Sequence, residues 1–169
     1  MASRFERSVE AHIPALRRYA RALARDADRA EDLLQDALER ALSRPHLLVR
    51  YDNLRGWLFR IMRNIHLNNL RAFSRIGPTI ELGEGNAPSV EPDQISRVEV
   101  AETLAAFDRL SDECREALWL VVVEGLGYRE AGRVLGVPPG SVMSRVFRAR
   151  EELRTLCQTA SGNHLRRVK

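Results

Sequence analysis

Residues 76–95 constrain this chain more than any other stretch. They contain Gly77, Pro78, Gly83, Gly85, Pro88 and Pro92, together with Glu81, Glu84, Glu91 and Asp93, and no basic residue. Proline removes a backbone donor and fixes φ, while the charges resist burial, so the run can neither hold a helix nor contribute to a core. Twenty residues without hydrophobic periodicity is long for a loop inside one compact domain. A chain of 169 residues interrupted in this way is expected to form two small domains, over 1–75 and 96–157, joined by a flexible acidic linker and followed by a tail at 158–169.

Both halves carry helical periodicity. In the first, Ala30, Leu33, Leu34, Ala37, Leu38, Ala41 and Leu42 recur at alternating spacings of three and one, the stripe of an amphipathic helix that Asp26 or Asp28 can cap. An earlier stripe runs through Ile13, Leu16, Tyr19, Ala20 and Leu23. A later one, Leu54, Trp57, Leu58, Ile61, Met62 and Ile65, predicts a helix from about Asn53 to Phe73. The second half predicts helices near 96–109, 112–124, 128–135 and 140–156, punctuated by Gly125, Gly127, Gly136, Pro138, Pro139 and Gly140. Aromatics make up only 6% of the chain, too few for a β-sandwich or barrel, and the expected class is all-α. Trp57, Phe59 and Trp119 lie among apolar neighbours and are assigned to the core.

The formal charge is +4, and all basic residues but Lys169 are arginine, whose planar fork of donors suits phosphate and guanine edges. Charge is segregated: residues 1–75 carry 15 basic and 9 acidic side chains, 76–103 carry 1 and 6, and 104–169 carry 11 and 8. No apolar run approaches the roughly 20 residues of a membrane span, and the N-terminus lacks the apolar core of a signal peptide. Cys114 and Cys157 are far apart in sequence. A cytoplasmic protein without membrane insertion is expected.

The most specific stretch is Tyr128 to Arg150. A short helix with Ala131, Val134 and Leu135 inward is followed by Gly136, suited to a left-handed helix end, and by a tight turn into a second helix. This is the pattern of a helix-turn-helix. In the second helix Val142, Val146 and Ala149 face the core. Ser141, Met143, Ser144, Arg145 and Arg148 are then expected outward, where hydroxyls and guanidinium groups reach base edges and phosphates in a major groove. In the first domain, Asp32, Gln35, Asp36 and Glu39, with Glu31 beside them, form an acidic stripe that would repel DNA. The next helix has the opposite character, with Arg60, Asn64, Asn68 and Arg71 on the side away from Trp57.

GYREAGRVLGVPPGSVMSRVFRAREEL resembles the C-terminal DNA-binding domain of the extracytoplasmic-function (group 4) sigma factors of the sigma-70 family of bacterial RNA polymerase. RYARALARDADRAEDLLQDALERAL, followed by LRGWLFRIMRNIHLNNLRA, is similar to domain two of that family. The two domains occur in the family's order, around a linker and without a domain three. The resemblance implies a sigma factor that binds core RNA polymerase, recognises double-stranded and melted promoter DNA and assists its opening, under the control of an anti-sigma factor. It further implies that Glu31, Asp32, Gln35, Asp36 and Glu39 dock on the clamp helices of the polymerase. Tyr51, Arg60, Arg63, Asn64, Asn68 and Arg71 would serve the minus-ten element, and Ser141, Met143, Ser144, Arg145 and Arg148 the minus-thirty-five element. Two readings stay open for Asn64 and Tyr51, which fit base contacts or a bracing role equally well. Such a protein is nucleoid-associated within the holoenzyme, or held at the membrane by its anti-sigma factor.

The chain departs from the family pattern in having Ser141 for the usual Thr, Met143 for Lys and Gly132 for Ala. His12, His46, His66 and His164 form no metal-ligand spacing with the cysteines, and no phosphate-binding loop or nucleophile elbow occurs. No metal, cofactor or catalytic site is expected, and the chain is not expected to be an enzyme. The acidic linker is a candidate nucleic-acid mimic in the RNA exit path. The rival functions are a self-sufficient helix-turn-helix regulator, which leaves the acidic stripe unexplained, and a sigma-like decoy that binds an anti-sigma factor without transcribing.

Overall fold

The computed structural model describes residues 3–46, 53–76 and 105–166. Every regular element among them is helical. Tyr51, nearly all of the acidic linker and the first part of the helix expected near 96–109 fall outside the described residues; 105–109 are helical.

The chain starts with a helix that periodicity does not announce, α1 (Arg4–Glu10). Its signal is the capping box Ser3-x-x-Glu6. The Ser3 backbone donates to Glu6 Oε2 at 2.7 Å, and the Glu6 backbone donates to Ser3 Oγ at 3.1 Å. Helix α2 (Ile13–Ala24) ends at Arg25, which takes the left-handed conformation with φ 57°. Helix α3 (Ala27–Ser43) is capped by Asp26, whose carboxylate accepts from the Arg29 backbone at 2.8 Å. Helix α4 (Leu54–Ile76) starts at Asn53, whose Oδ1 accepts from the Gly56 backbone.

In the second half, α5 (Asp112–Leu118) runs directly into a π-helical turn, Trp119–Val123, where the sequence predicts one uninterrupted α-helix to 124. The wider turn is closed by Glu124 N–H donating to the Trp119 carbonyl at 3.0 Å. Helix α6 (Tyr128–Leu135) ends at Gly136 with φ 70°, the left-handed C-terminus its sequence predicts. Helix α7 (Pro139–Arg166) extends ten residues beyond the expected end at 156. The turn between α6 and α7 explains Gly132. The Val137 carbonyl oxygen passes 2.7 Å from the place a Cβ would occupy, and the Val137 amide donates to the Gly132 carbonyl. Glycine lets the two helices of the motif close on each other.

The two halves share one core. Helix α4 packs on α2 and α3 on one side and on α6 on the other. It is therefore buried all round from Gly56 to Phe59, and its exposed positions begin at Asn64. Trp57 meets Phe5 with ring centroids 6.3 Å apart, while Phe59, two residues on and facing the other way, meets Tyr19 edge-on at 5.0 Å. Both are at most 2% exposed, as assigned from sequence. Trp119 is half-buried at the edge of the core and packs on Phe107 at 5.8 Å. Among the described residues no helix is long and apolar enough to cross a membrane.

Candidate nucleic-acid interface and acidic face

Helix α3 turns Ala30, Leu33, Leu34, Ala37 and Ala41 into the core. That orientation leaves Asp32, Gln35, Asp36 and Glu39 exposed together on its outer side. Glu31 belongs to the same region but is engaged: Arg17 grips both its oxygens, Nη2 to Oε1 at 2.9 Å and Nε to Oε2 at 3.2 Å. These hydrogen bonds hold the Glu31 carboxyl below its ordinary pKa. The outward negative charge is thus carried by Asp32, Asp36 and Glu39. Asp36 and Glu39 also line a shallow groove with Arg40, Ser43, Arg44 and Ile65, where α3 meets α4.

On α4 the residues assigned to the minus-ten element divide. Asn64, Asn68 and Arg71 are exposed. Arg63 is turned to the second domain, with Nε donating to Glu116 Oε1 at 2.8 Å, and Arg60 donates to the Arg133 carbonyl at 2.8 Å. The neighbouring His66 is half-buried, and desolvation lowers its pKa.

On α7, Met143, Ser144 and Arg148 point outward, and Ser141 is half-buried. The Ser144 hydroxyl donates back to the Gly140 carbonyl at 3.0 Å, so only its acceptor lone pairs face solvent. Arg145 corrects the sequence expectation that it lies outward. Its side chain is only 14% exposed and pairs with Glu113 at 3.0 Å, because α5 presents a carboxylate beside it. The sequence reading also overlooked Phe147, four residues from Met143 and 66% exposed, more than any other large apolar side chain among the described residues. Its position between outward Met143 and Arg148 was the available signal.

The other overlooked residues lie where the domains meet. The side chain of Glu124 is fully enclosed and held by Arg18 and Arg55 of the first domain. Its signal was a lone acid in the apolar run Val121–Leu126. Tyr19 donates to Glu116 Oε1 at 2.7 Å, and burial beside that carboxylate pushes the phenol pKa well up. Arg25 reaches Asp112 at 3.1 Å, and Asn53 reaches Glu130 at 2.6 Å. Among the described residues no group of three or more His, Cys, Asp or Glu is arranged to hold a metal ion.

An all-helical chain with a helix-turn-helix at one end, and a helical bundle bearing an acidic face and an exposed Asn/Arg helix at the other, defines a class of two-domain transcription proteins. Residues 9–63 match the family model described as the Sigma2 domain of PhyR, and residues 101–153 match that of sigma-70, region 4. The chain is 37% identical over 148 residues to the ECF RNA polymerase sigma factor EcfG of Rhodopseudomonas palustris, covering 88% of this chain and 82% of that protein. It is 36% identical over 168 residues to the ECF RNA polymerase sigma factor SigM of Mycobacterium tuberculosis, covering 96% and 82%. Among solved structures it resembles the sigma factor RpoE of Bartonella quintana, in complex with the anti-sigma factor NepR. The TM-score is 0.76 at 32% identity, covering 91% of this chain and 96% of that one. The structure of CnrH with the cytosolic domain of CnrY is also similar, with TM-score 0.62 at 28% identity, covering 92% and 88%. This chain belongs to the ECF RNA polymerase sigma factors of the sigma-70 family, whose members are not enzymes.

Proposed function

We propose that the exposed carboxylates Asp32, Asp36 and Glu39, with Gln35 and the Arg17-braced Glu31, dock the chain on basic residues of core RNA polymerase. The promoter is then read from two sides. Asn64, Asn68 and Arg71, with Arg60, Arg63 and Tyr51, serve the minus-ten element, Asn side chains offering both donor and acceptor to an unstacked base. Met143, Ser144 and Arg148, with Ser141, serve the minus-thirty-five element, and Arg145 supports the helix that presents them. Opening a duplex costs unstacking energy, which polymerase binding offsets. The observation that carries this reading is the electrostatic division of the first domain: four polar or acidic side chains exposed along α3, and Asn and Arg exposed along α4.

The complexes of RpoE with NepR and of CnrH with CnrY support regulation of this chain by an anti-sigma factor. The chain then works in the cytoplasm, on the nucleoid within the holoenzyme, or at the membrane where its anti-sigma factor is anchored there. The alternative reading is a sigma-like protein that binds an anti-sigma factor and does not transcribe.

Binding of the fluorescently labelled chain to bacterial core RNA polymerase separates the two. Saturable binding, lost in Asp36→Arg while the helical circular dichroism is unchanged, is the expected result, because Asp36 is exposed on the outer side of α3. Equal affinity of the variant would remove α3 as the docking face. No binding by either protein would leave the non-transcribing reading.

A further inference from the structure

Four arginines of the first domain line its boundary with the second. Arg18 and Arg25 lie seven residues apart on α2 and immediately after it, and Arg55 and Arg63 lie eight apart on α4, so each pair follows one side of its helix. The second domain sets three carboxylates against them. Arg18 grips both oxygens of Glu124, Nε to Oε1 at 3.3 Å and Nη2 to Oε2 at 3.1 Å, and Arg55 adds Nη2 to Oε2 at 2.9 Å and a bond to the Glu124 carbonyl. Arg63 holds Glu116, and Arg25 holds Asp112 Oδ1, which also accepts from Arg115 at 2.7 Å.

A guanidinium fork closed on two oxygens of one anion is the geometry with which arginine takes a phosphate. Three of the four arginines belong to no site assigned above. The fourth, Arg63, stands in the minus-ten set yet is occupied by Glu116 in the closed chain. Its Nε is committed to Glu116 and its side chain is only 17% exposed, so little of this guanidinium is open to a promoter phosphate while the second domain is in place.

We propose that Arg18, Arg25, Arg55 and Arg63 form a phosphate-binding groove for the DNA backbone, filled in the free chain by the carboxylates Asp112, Glu116 and Glu124 of its own second domain. DNA and the second domain therefore compete for one groove, and the second domain must lift away before the first engages DNA fully. A binding-competent form populated at one part in ten lowers apparent affinity about tenfold, so weakening the carboxylates raises DNA affinity by roughly that factor. The inference rests on the promoter-binding reading of α4 and adds to it the groove residues and their internal competitor.

The test uses the full chain, its radius of gyration by small-angle X-ray scattering, and anisotropy of a short fluorescein-labelled single-stranded DNA of mixed sequence. Glu116→Gln with Glu124→Gln is expected to expand the chain and tighten DNA binding about tenfold. Because Glu124 is enclosed, a second variant opens the boundary from the other side. Arg18→Glu with Arg25→Glu is expected to expand the chain equally but to weaken DNA binding, with circular dichroism confirming that both variants remain helical. Expansion with equal DNA affinity in the two variants would overturn the groove, and a chain that stays compact in both would overturn the carboxylates as its occupants. Asn64→Ala and Arg71→Ala, assayed for promoter opening with core polymerase, test the underlying reading separately. If they impair opening while the groove variants behave alike, the groove alone fails; if they have no effect, the promoter reading itself fails.

Discussion

A methyl group on Gly132 would meet the Val137 carbonyl oxygen at 2.7 Å, and that oxygen is backbone, unable to swing aside. Gly132→Ala gains about 1 kcal/mol of helix propensity, but overpacking a closed turn typically costs about 1–3 kcal/mol. The net expectation is a lower melting temperature, read by thermal circular dichroism, and an unchanged or higher one would show that the turn relaxes freely. Glu31 illustrates linkage on the same scale. Its folded-state pKa is depressed by Arg17, so the pair contributes stability above the ordinary carboxylate range and loses it as pH falls through the folded value. Arg17→Ala is therefore expected to be less stable than the parent at neutral pH and to converge with it in acid, as followed by denaturant titrations at several pH values. A difference that persisted at low pH would assign the effect of Arg17 to packing.

Among the elements, α7 shows how one helix serves two tasks. Its inner face, Val142, Val146 and Ala149, is fully or almost fully buried, and Arg145 spans the edge to reach Glu113 on α5. Arg148, one turn on, is exposed. The two arginines are accordingly expected to differ. Arg148→Ala should weaken binding to the upstream promoter element by about 1–3 kcal/mol with little change in melting temperature, whereas Arg145→Ala should lower the melting temperature and affect DNA through the lost support of the helix. Thermal unfolding and promoter binding on both variants decide this, and a purely DNA-binding defect in Arg145→Ala would return it to the base-reading set. The π-turn at Trp119–Val123 matters in the same way. It displaces the chain by a fraction of a turn, leaves Val122 and Val123 about half-exposed, and delivers Glu124 to the first domain.

For the molecule as a whole, the decisive feature is that Trp57, Leu58 and Phe59, consecutive on α4, are all buried. Three successive residues cannot share one face of a helix, so full burial requires cover on two sides, supplied by α2 and α3 on one and by the second domain on the other. Trp57→Ala should destabilise by about 3–5 kcal/mol and loosen both halves together. Coincident loss of far-ultraviolet dichroism and of Trp119 fluorescence on heating would report that, while separate transitions would mean that the halves fold independently.

The sequence by itself determined what depends on neighbours a few residues away. The all-helical class, the stripes of α2, α3 and α4, the glycine-ended α6, the acidic outer face of α3 and the helix-turn-helix all follow from periodicity and turn chemistry within single segments. The capping box of α1 was equally local and equally legible, though no hydrophobic stripe draws attention to it. Tertiary structure decided which polar side chains are spent inside the molecule. Arg63 and Arg145 look like their exposed neighbours Asn64 and Arg148 in sequence, and only the approach of Glu116 and Glu113 from α5 sets them apart. Arg18 and Arg55 are likewise joined by Glu124, more than a hundred residues from the first and about seventy from the second. A charge's partner is a matter of distance in space, and no local pattern encodes a pairing across two domains.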